Sequence, residues 1–261
     1  MKRCTIFFFD VDGTLYDSTN QLVHPSTKSA MKALHEQSDT IIAVATGRAF
    51  YMLDIIEPLK PYIDIYITIN GRIIYSKNAI IHNNPMSEDA IALFKSAFMK
   101  AGLNFGYIGK HTHAIYSLDD YARAMFDKAS LPCPFEAPLF DLNHDVYQMW
   151  AFGHHEAHKD INALHESYES VPWVKDGFDI LHKDVHKGSG VKMVLNHLSL
   201  SKDDAYAFGD ADNDITMFKA IPKSIAMGNA THTLKPHAWF MTQSVGEKGI
   251  SHALKSLNYI K

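Results

Sequence analysis

Cysteine is scarce: the 261 residues contain two, Cys4 and Cys133. No disulfide framework and no cysteine-based metal spacing can be built from that pair, and a reducing, cytoplasmic compartment is the expectation. An excess of basic charge is missing too. Lys and Arg number 25 against 29 Asp and Glu, a formal net charge of -4. That balance argues against a nucleic-acid binder working through a broad basic face and leaves room for a local basic pocket. No run approaches the roughly 18 apolar residues of a membrane span, so no membrane partner is expected. The opening MKRCTIFFFD sets Lys2 and Arg3 before apolar residues, but Asp10 cuts the run too short for a secretion signal and no small-residue cleavage site follows. Among the 16 histidines, His154, His155 and His158 form no HExxH-type pattern, and a surface or core role is expected for most of the others.

What is present is enough apolar material for a core, 46% of residues, in one large or two moderate domains. Thr5 to Leu15, TIFFFDVDGTL, is the stretch around which the chain is organised. Its apolar run reads as a fully buried strand that delivers Asp10 and Asp12 to its carboxyl end, where open α/β sheets bind ligands. A helix from Ser26, as cap, to about Gln37 follows, then a strand Thr40 to Ala45 ending in Thr46-Gly47-Arg48, a helix from Ala49 to Ile56 stopped near Pro58 and Pro61, and a strand Ile63 to Ile69 ending in Asn70-Gly71. This alternation predicts a parallel sheet.

From Arg72 the pattern changes to a hairpin (Ile73 to Tyr75 and Ala79 to Ile81), then a helix Ser87 to Ala101 and strands at Asn104 to Ile108 and Thr112 to Tyr116. A helix Asp119 to Lys128, a passage with Pro132, Pro134 and Pro138, a strand Val146 to Phe152, a helix Glu156 to Tyr168 and strands between Val171 and Leu181 follow. Hairpins mixed with a few helices read as an α+β insert. Alternation resumes at Lys187 with a helix from about Ser189 to Leu198, a strand Ala205 to Phe208 ending in GDADND (Gly209 to Asp214), a helix from about Ile215, a strand Ser224 to Met227, the loop Gly228-Asn229-Ala230, a strand Ala238 to Met241 and a helix Gly249 to Leu257. The predicted fold is α/β: a doubly wound, Rossmann-like parallel-sheet core of residues 1–82 plus 185–261, interrupted by an α+β domain of residues 83–184.

Two carboxylates two residues apart require a shared proton or a cation, and Asp210, Asp212 and Asp214 wait at another strand tip. Oxygen donors of this kind suit Mg2+, which is commonly held by one or two carboxylates plus water and substrate phosphate. Each piece alone has an ordinary reading. DxD occurs in solvated turns, GDADND resembles part of a calcium loop without that loop's glycine and final Glu, Lys187 could be a surface lysine and Asn70-Gly71 only a turn. Their joint placement at strand tips and helix starts is what favours a site.

The series Asp10-Val11-Asp12-Gly13-Thr14-Leu15, Thr46-Gly47-Arg48, Asn70-Gly71, Lys187-Gly188, Gly209 to Asp214 and Met227-Gly228-Asn229-Ala230 resembles the haloacid dehalogenase superfamily, specifically its Cof-type phosphatases, whose α+β cap corresponds to residues 83–184. The resemblance implies that Asp10 is the nucleophile forming an aspartyl-phosphate, and that Asp12 protonates the leaving oxygen and then activates water. It implies Mg2+ on the Asp10 carboxylate, the Asp12 main-chain carbonyl and Asp210, with Asp214 steadying the metal's waters or Lys187. Lys187, the Thr46 hydroxyl, the amides of Val11 and Gly47 and the Asn213 side chain would contact phosphate oxygens. Arg48 is left between shaping the mouth of the site and pairing with an acid, and Asp212 is expected to be the solvated acid of its run.

The implied activity is hydrolysis of a small phosphorylated metabolite, a sugar phosphate first, with flavin mononucleotide, pyridoxal phosphate and nucleotides behind. A phosphotransferase or mutase using the same aspartyl-phosphate is the competing enzyme reading, although mutases often carry a smaller cap. A receiver-like signalling domain is disfavoured by Asp12, which would make its phosphate short-lived, and by the insert. Dehalogenation is disfavoured by the metal acids. The insert would act as a lid that reads the leaving group, with His111, His113, Tyr116, Tyr147, Gln148 and Trp150 as candidates, each of which could equally be cap core or surface. Oligomeric state leaves no signal.

Overall fold

The computed structural model describes residues 4–77, 79–128, 131–137, 145–153, 155–174 and 176–261, and side chains for all of these except 155–158, 173 and 174. Lys2, Arg3, Pro138, His154 and the side chains of His155 and His158, all singled out in the sequence, lie outside the described residues. In chain order the elements are β1 (Thr5–Phe9), α1 (Pro25–His35), β2 (Thr40–Ala45), β3 (Ile65–Thr68), β4 (Ile73–Ser76), β5 (Ala79–Asn83), α2 (Glu88–Lys100), β6 (Asn104–Gly109), β7 (His113–Ile115), α3 (Asp120–Lys128) and β8 (Phe135–Glu136). There follow β9 (Val146–Phe152), α4 (His155–Asn162), β10 (Tyr168–Val174), β11 (Gly177–His182), α5 (Lys187–Leu198), β12 (Ala205–Gly209), α6 (Ile215–Ala220), β13 (Lys223–Ala226), β14 (Phe240–Met241) and α7 (Gly249–Ser256).

These elements form two compact units, one of residues Met1–Arg48, Leu53–Asn83 and His186–Lys261, the other of Ala49–Met52 and Asn84–Val185. The first is built on an eight-stranded sheet of order β14-β13-β12-β1-β2-β3-β4-β5. From β14 to β3 neighbouring strands are parallel, while β4 and β5 add antiparallel at one edge. The chain runs outward from β1 through β2 and β3 on one side and β12 lies on the other, so the order reverses beside β1. Asp10, Thr46 and Asp210 follow the last residues of β1, β2 and β12, respectively.

The β1 sequence is apolar throughout because both of its faces are covered. Phe7 and Phe9 face a core shared with α1 and α7, whereas Ile6 and Phe8 face one shared with α5 and α6. Phe7 stacks on Tyr206 at 5.0 Å and Phe9 on Phe208 at 4.7 Å, which ties β1 to β12 residue by residue. On the second face α5 approaches closely: a Cβ at Gly188 would meet the Thr216 carbonyl oxygen at 2.2 Å. Only a glycine lets the first turn of α5 rest on α6 here.

The other unit has a six-stranded sheet of order β10-β11-β9-β6-β7-β8, antiparallel except for the β7–β8 pair. Ser87 caps α2 by accepting from the Ala90 N–H, and Phe94 and Phe98 of α2 pack on Phe105, Met149 and Phe178. Phe126 of α3 meets Trp150 edge-on at 5.0 Å. Of the residues named as leaving-group candidates, His113, Tyr147, Gln148 and Trp150 are buried, Tyr116 is half-buried and His111 is exposed.

Three local expectations differ from the structure. Helix α1 begins at Pro25 with His24, not Ser26, as its N-cap residue, because proline is pre-set for the first helical position. The segment after Arg48 is 3-10 helix over Phe50–Tyr62 with a non-helical residue at Ile56, since Pro58 and Pro61 remove the amide donors an α-helix needs. Helix α4 ends at Asn162, and Tyr168 instead starts β10 and packs edge-on against Phe94 at 5.5 Å.

The loop after β1 is fastened by one acid. Asp17 accepts from the Thr19 and Asn20 amides at 3.0 and 3.1 Å and from Asn20 Nδ2 and His24 Nε2 at 2.8 Å each. Burial pushes its carboxyl up, but these donors outweigh burial and bring it down to about 2. A depressed folded-state value means stability that is present above the unfolded carboxylate range and lost as pH falls through the folded value. Asp17→Asn should therefore destabilise the protein by about 2 kcal/mol near neutrality. In thermal melts the gap to the wild type should narrow as the pH is lowered below about 4, and a gap independent of pH would contradict this account.

Candidate active site

Asp10, the first residue beyond β1, is 4% exposed, and Lys187, the first residue of α5, is 1% exposed. The Lys187 Nζ donates to Asp10 Oδ1 at 2.6 Å and to Asp214 Oδ1 at 2.7 Å. Helix α5 is set for this by its cap: His186 Nδ1 accepts from the Ser189 N–H while Ser189 Oγ accepts from the His186 N–H. The Gly188 N–H donates to Thr216 Oγ1 at 3.2 Å, fixing the same turn from the α6 side.

Asp214 organises the turn that follows β12. Its Oδ2 accepts from the Asp210 and Ala211 N–H groups at 2.9 and 3.1 Å, so both of its oxygens are engaged. Asp210 lies against the β1 turn. Gly13 has φ +79°, and a Cβ there would fall 2.2 Å from Asp210 Oδ2, so only glycine allows the approach. Thr14 Oγ1 donates to Asp210 Oδ1 at 3.2 Å, and Asn229 Nδ2 donates to Asp210 Oδ2 at 3.2 Å and to the Gly13 carbonyl at 2.9 Å.

Asp12 points to a different partner. Arg48 grips it with two bonds, Nε to Oδ2 and Nη2 to Oδ1, each 2.8 Å. Of the two roles left open for Arg48 in the sequence, pairing with an acid is the one seen. The Thr46 hydroxyl, buried, accepts from the Arg48 N–H at 3.1 Å. Asn70 has φ 54° between Ile69 at 49° and Gly71 at 104°, three successive left-handed residues, and its side chain lies 3.5 Å from where a Gly47 Cβ would be. Such a conformation at the β-branched Ile69 is strained, and strain of this kind collects at functional sites. Val11 is buried, with its carbonyl accepting from the Thr14, Leu15 and Tyr16 amides, whereas Gly47 is half-buried and Asn213 exposed. Asp212 is exposed as well, but it is not merely solvated: it accepts from the hydroxyls of Thr231, at 2.7 Å, and Thr233.

The charge balance is uneven. Asp10, Asp12, Asp210 and Asp214 face two cations, Lys187 and Arg48. Burial pushes the Asp10 carboxyl well up, Lys187 pulls it down, and Asp214, Asp210 and Asp12 push it up again. Burial and the charge of Asp214 likewise raise Asp210 to about 7 against the pull of Lys187 and Thr14. Burial would lower Lys187, but Asp10 and Asp214 hold it above its ordinary value, so the ammonium persists between them. The upward push on both acids comes first from burial and then from the neighbouring negative charges, with Lys187 opposing it.

One oxygen each of Asp10, Asp210 and Asp214 lies within 4.8 Å of the others. An all-oxygen donor set carrying a surplus of negative charge fits a hard divalent cation. The Asp12 carboxylate stands outside that group, on Arg48. Sequence reasoning brought Asp10, Lys187, Asp210 and Asp214 to one site and gave no role to Thr14, Asn229, His186 or Thr216. For Thr14 and Asn229 the signal was available, since both belong to strand-tip motifs already quoted.

The haloacid dehalogenase-like hydrolase family matches residues 7–254. The chain is 31% identical to YkrA of Bacillus subtilis, named as a candidate phosphatase, over 98% of both chains. A hypothetical protein of Geobacillus kaustophilus superposes with a TM-score of 0.91 at 29% identity, covering 98% of this chain and 100% of that one. A sugar phosphatase of haloacid dehalogenase subclass IIB superposes with a TM-score of 0.87 at 25% identity, with the same coverage.

Removing the Lys187 ammonium leaves buried carboxylates without their cation. Lys187→Met should cost on the order of 3–5 kcal/mol in urea unfolding without divalent metal. The loss should be smaller at about pH 5 than at about pH 8, because protonation relieves unpaired acids. Wild-type stability in this variant would rule out the ammonium as the holder of the cluster.

Proposed function

The chain belongs to the haloacid dehalogenase-like hydrolases, and from that membership we propose that it is a Mg2+-dependent phosphatase acting on a small organic phosphate monoester through an aspartyl-phosphate on Asp10. The observation that carries the reading is the buried Lys187 ammonium joining Asp10 to Asp214 beside Asp210. It fixes a shielded carboxylate at the tip of the central strand and surrounds it with the charges phosphate chemistry uses.

An oxygen of the Asp10 carboxylate attacks phosphorus. The bond from phosphorus to the leaving alcohol breaks, and Asp12 gives its proton to that alcohol oxygen. The Asp12 carboxylate then takes a proton from water, whose oxygen attacks the aspartyl-phosphate phosphorus. Inorganic phosphate leaves and Asp10 returns as a carboxylate. Lys187, the Thr46 hydroxyl, the Val11 and Gly47 amides and the Asn213 side chain hold the phosphate oxygens as charge redistributes. Asp10, Asp210 and the Asp12 carbonyl would hold Mg2+, with Asp214 steadying it, and the ion would supply neutralisation between an anionic nucleophile and an anionic substrate.

A sugar phosphate is the substrate class proposed first. The structural likeness to a protein named a sugar phosphatase supports it. In this reading residues 1–82 and 185–261 are the catalytic core, and the insert 83–184 is the cap that selects the leaving group. The protein acts as a soluble cytoplasmic enzyme on small metabolites.

The test is a screen of phosphate monoesters with Mg2+ and with EDTA, beside Asp10→Asn and Asp12→Asn. Asp10→Asn should lose at least about a thousandfold in kcat and no longer trap labelled phosphate on acid quenching. Asp12→Asn should lose about a hundredfold to ten-thousandfold. Phosphate release without an added acceptor alcohol is expected, and an absolute need for one would favour transfer. Activity that survives Asp10→Asn, or that ignores EDTA, would overturn the mechanism.

A further inference from the structure

We propose that Asn229 is a positioning residue that holds the Asp210 carboxylate against the β1 turn and thereby sets the affinity of the site for its divalent cation. The inference rests on the metal-dependent reading above and assigns a role that reading does not contain.

The geometry fixes which way the Asn229 amide faces. Its Oδ1 accepts from the Val245 N–H at 2.9 Å, a contact only the carbonyl end can make. The Nδ2 end is therefore turned toward two acceptors, the Gly13 carbonyl at 2.9 Å and Asp210 Oδ2 at 3.2 Å. One side chain thus spans the turn after β1, the acid after β12 and the segment after β14. The Thr231 N–H donates to the Asp210 carbonyl at 2.8 Å, so the loop carrying Asn229 is fastened to Asp210 through its main chain as well. Asp210 then has Thr14 on one oxygen and Asn229 on the other.

A carboxylate tethered at both oxygens presents its remaining lone pairs in one direction. A metal ligand that must be ordered on binding loses affinity, and partners of this kind commonly govern affinity about tenfold or more. Asn229 is itself exposed, so it makes no large contribution to the core. Its bonds serve orientation.

Two substitutions separate positioning from a purely structural link to Val245. Asn229→Ala removes every side-chain bond. Asn229→Asp keeps an acceptor for the Val245 N–H and sets a second carboxylate against Asp210 and the Gly13 carbonyl. Mg2+ is titrated into metal-free protein, and the dissociation constant is read from the rise in unfolding temperature. Asn229→Ala should bind Mg2+ about tenfold more weakly, while kcat at saturating Mg2+ stays within severalfold of the wild type. Asn229→Asp should unfold several degrees below the wild type without metal, because its carboxylate faces that of Asp210. An unchanged Mg2+ dissociation constant in Asn229→Ala would overturn the proposal, and so would a wild-type unfolding temperature for metal-free Asn229→Asp. A wild-type protein whose unfolding temperature ignores Mg2+ would instead overturn the metal-dependent reading beneath it.

Discussion

The arrangement depends on one buried ammonium. Lys187 brings its charge to a position where its side chain is wholly inaccessible, and a lone cation there would not be tolerated. Two carboxylates compensate it, one 177 residues earlier in the chain and one 27 residues later. The contact can therefore form only when β1, the start of α5 and the turn after β12 are assembled together. Without the lysine both acids lose their buried cation, Asp214 keeping only the Asp210 and Ala211 amides on Oδ2, so the interaction specifies the geometry as well as contributing to it.

The apolar parts of the chain are shaped to deliver these three groups. Aromatic stacking sets β12 beside β1 in register, so that Asp10 and Asp210 leave adjacent strand tips offset by one residue. Gly188 lets the first turn of α5 sit on α6, which brings Lys187 down to the strand tips, and the reciprocal cap between His186 and Ser189 keeps that turn from fraying. Gly13 admits Asp210 beside the β1 turn. Small residues are needed because a carboxylate approaches the backbone at Gly13 and one helix's backbone rests on another's at Gly188.

What was legible in the sequence follows from how local each signal is. The strand β2 and the strand β9 have the limits expected from their apolar runs, since burial on both faces writes itself into consecutive residues. The acids at strand tips were legible because each ends such a run. The His24 cap was not, since the proline after it decides the helix start and histidine is an uncommon cap. Nor was the bidentate pairing of Arg48 with Asp12, which joins residues 36 apart through a guanidinium whose direction no periodicity encodes. Asn229 escaped for the same reason. Its motif was visible, but its three bonds reach positions 13, 210 and 245, and only the folded chain brings those together.

The two acids of the opening motif differ in their access to water, and that difference suits the role proposed for each. Asp10 is 4% exposed, and the Lys187 ammonium on its Oδ1 works against the burial that would otherwise favour its protonated form, which suits the nucleophile proposed for it. The Asp12 side chain is 38% exposed, and its cation is an arginine that holds both oxygens from one side. A residue that must give up a proton and later take one needs that exposure, because the proton lost to the leaving group has to be replaced from water. The fork of Arg48 restrains the rotation of the Asp12 carboxyl group. Strand β1 thus delivers two chemically identical side chains two residues apart, and the turn at Gly13 separates them into one environment closed to water and one open to it.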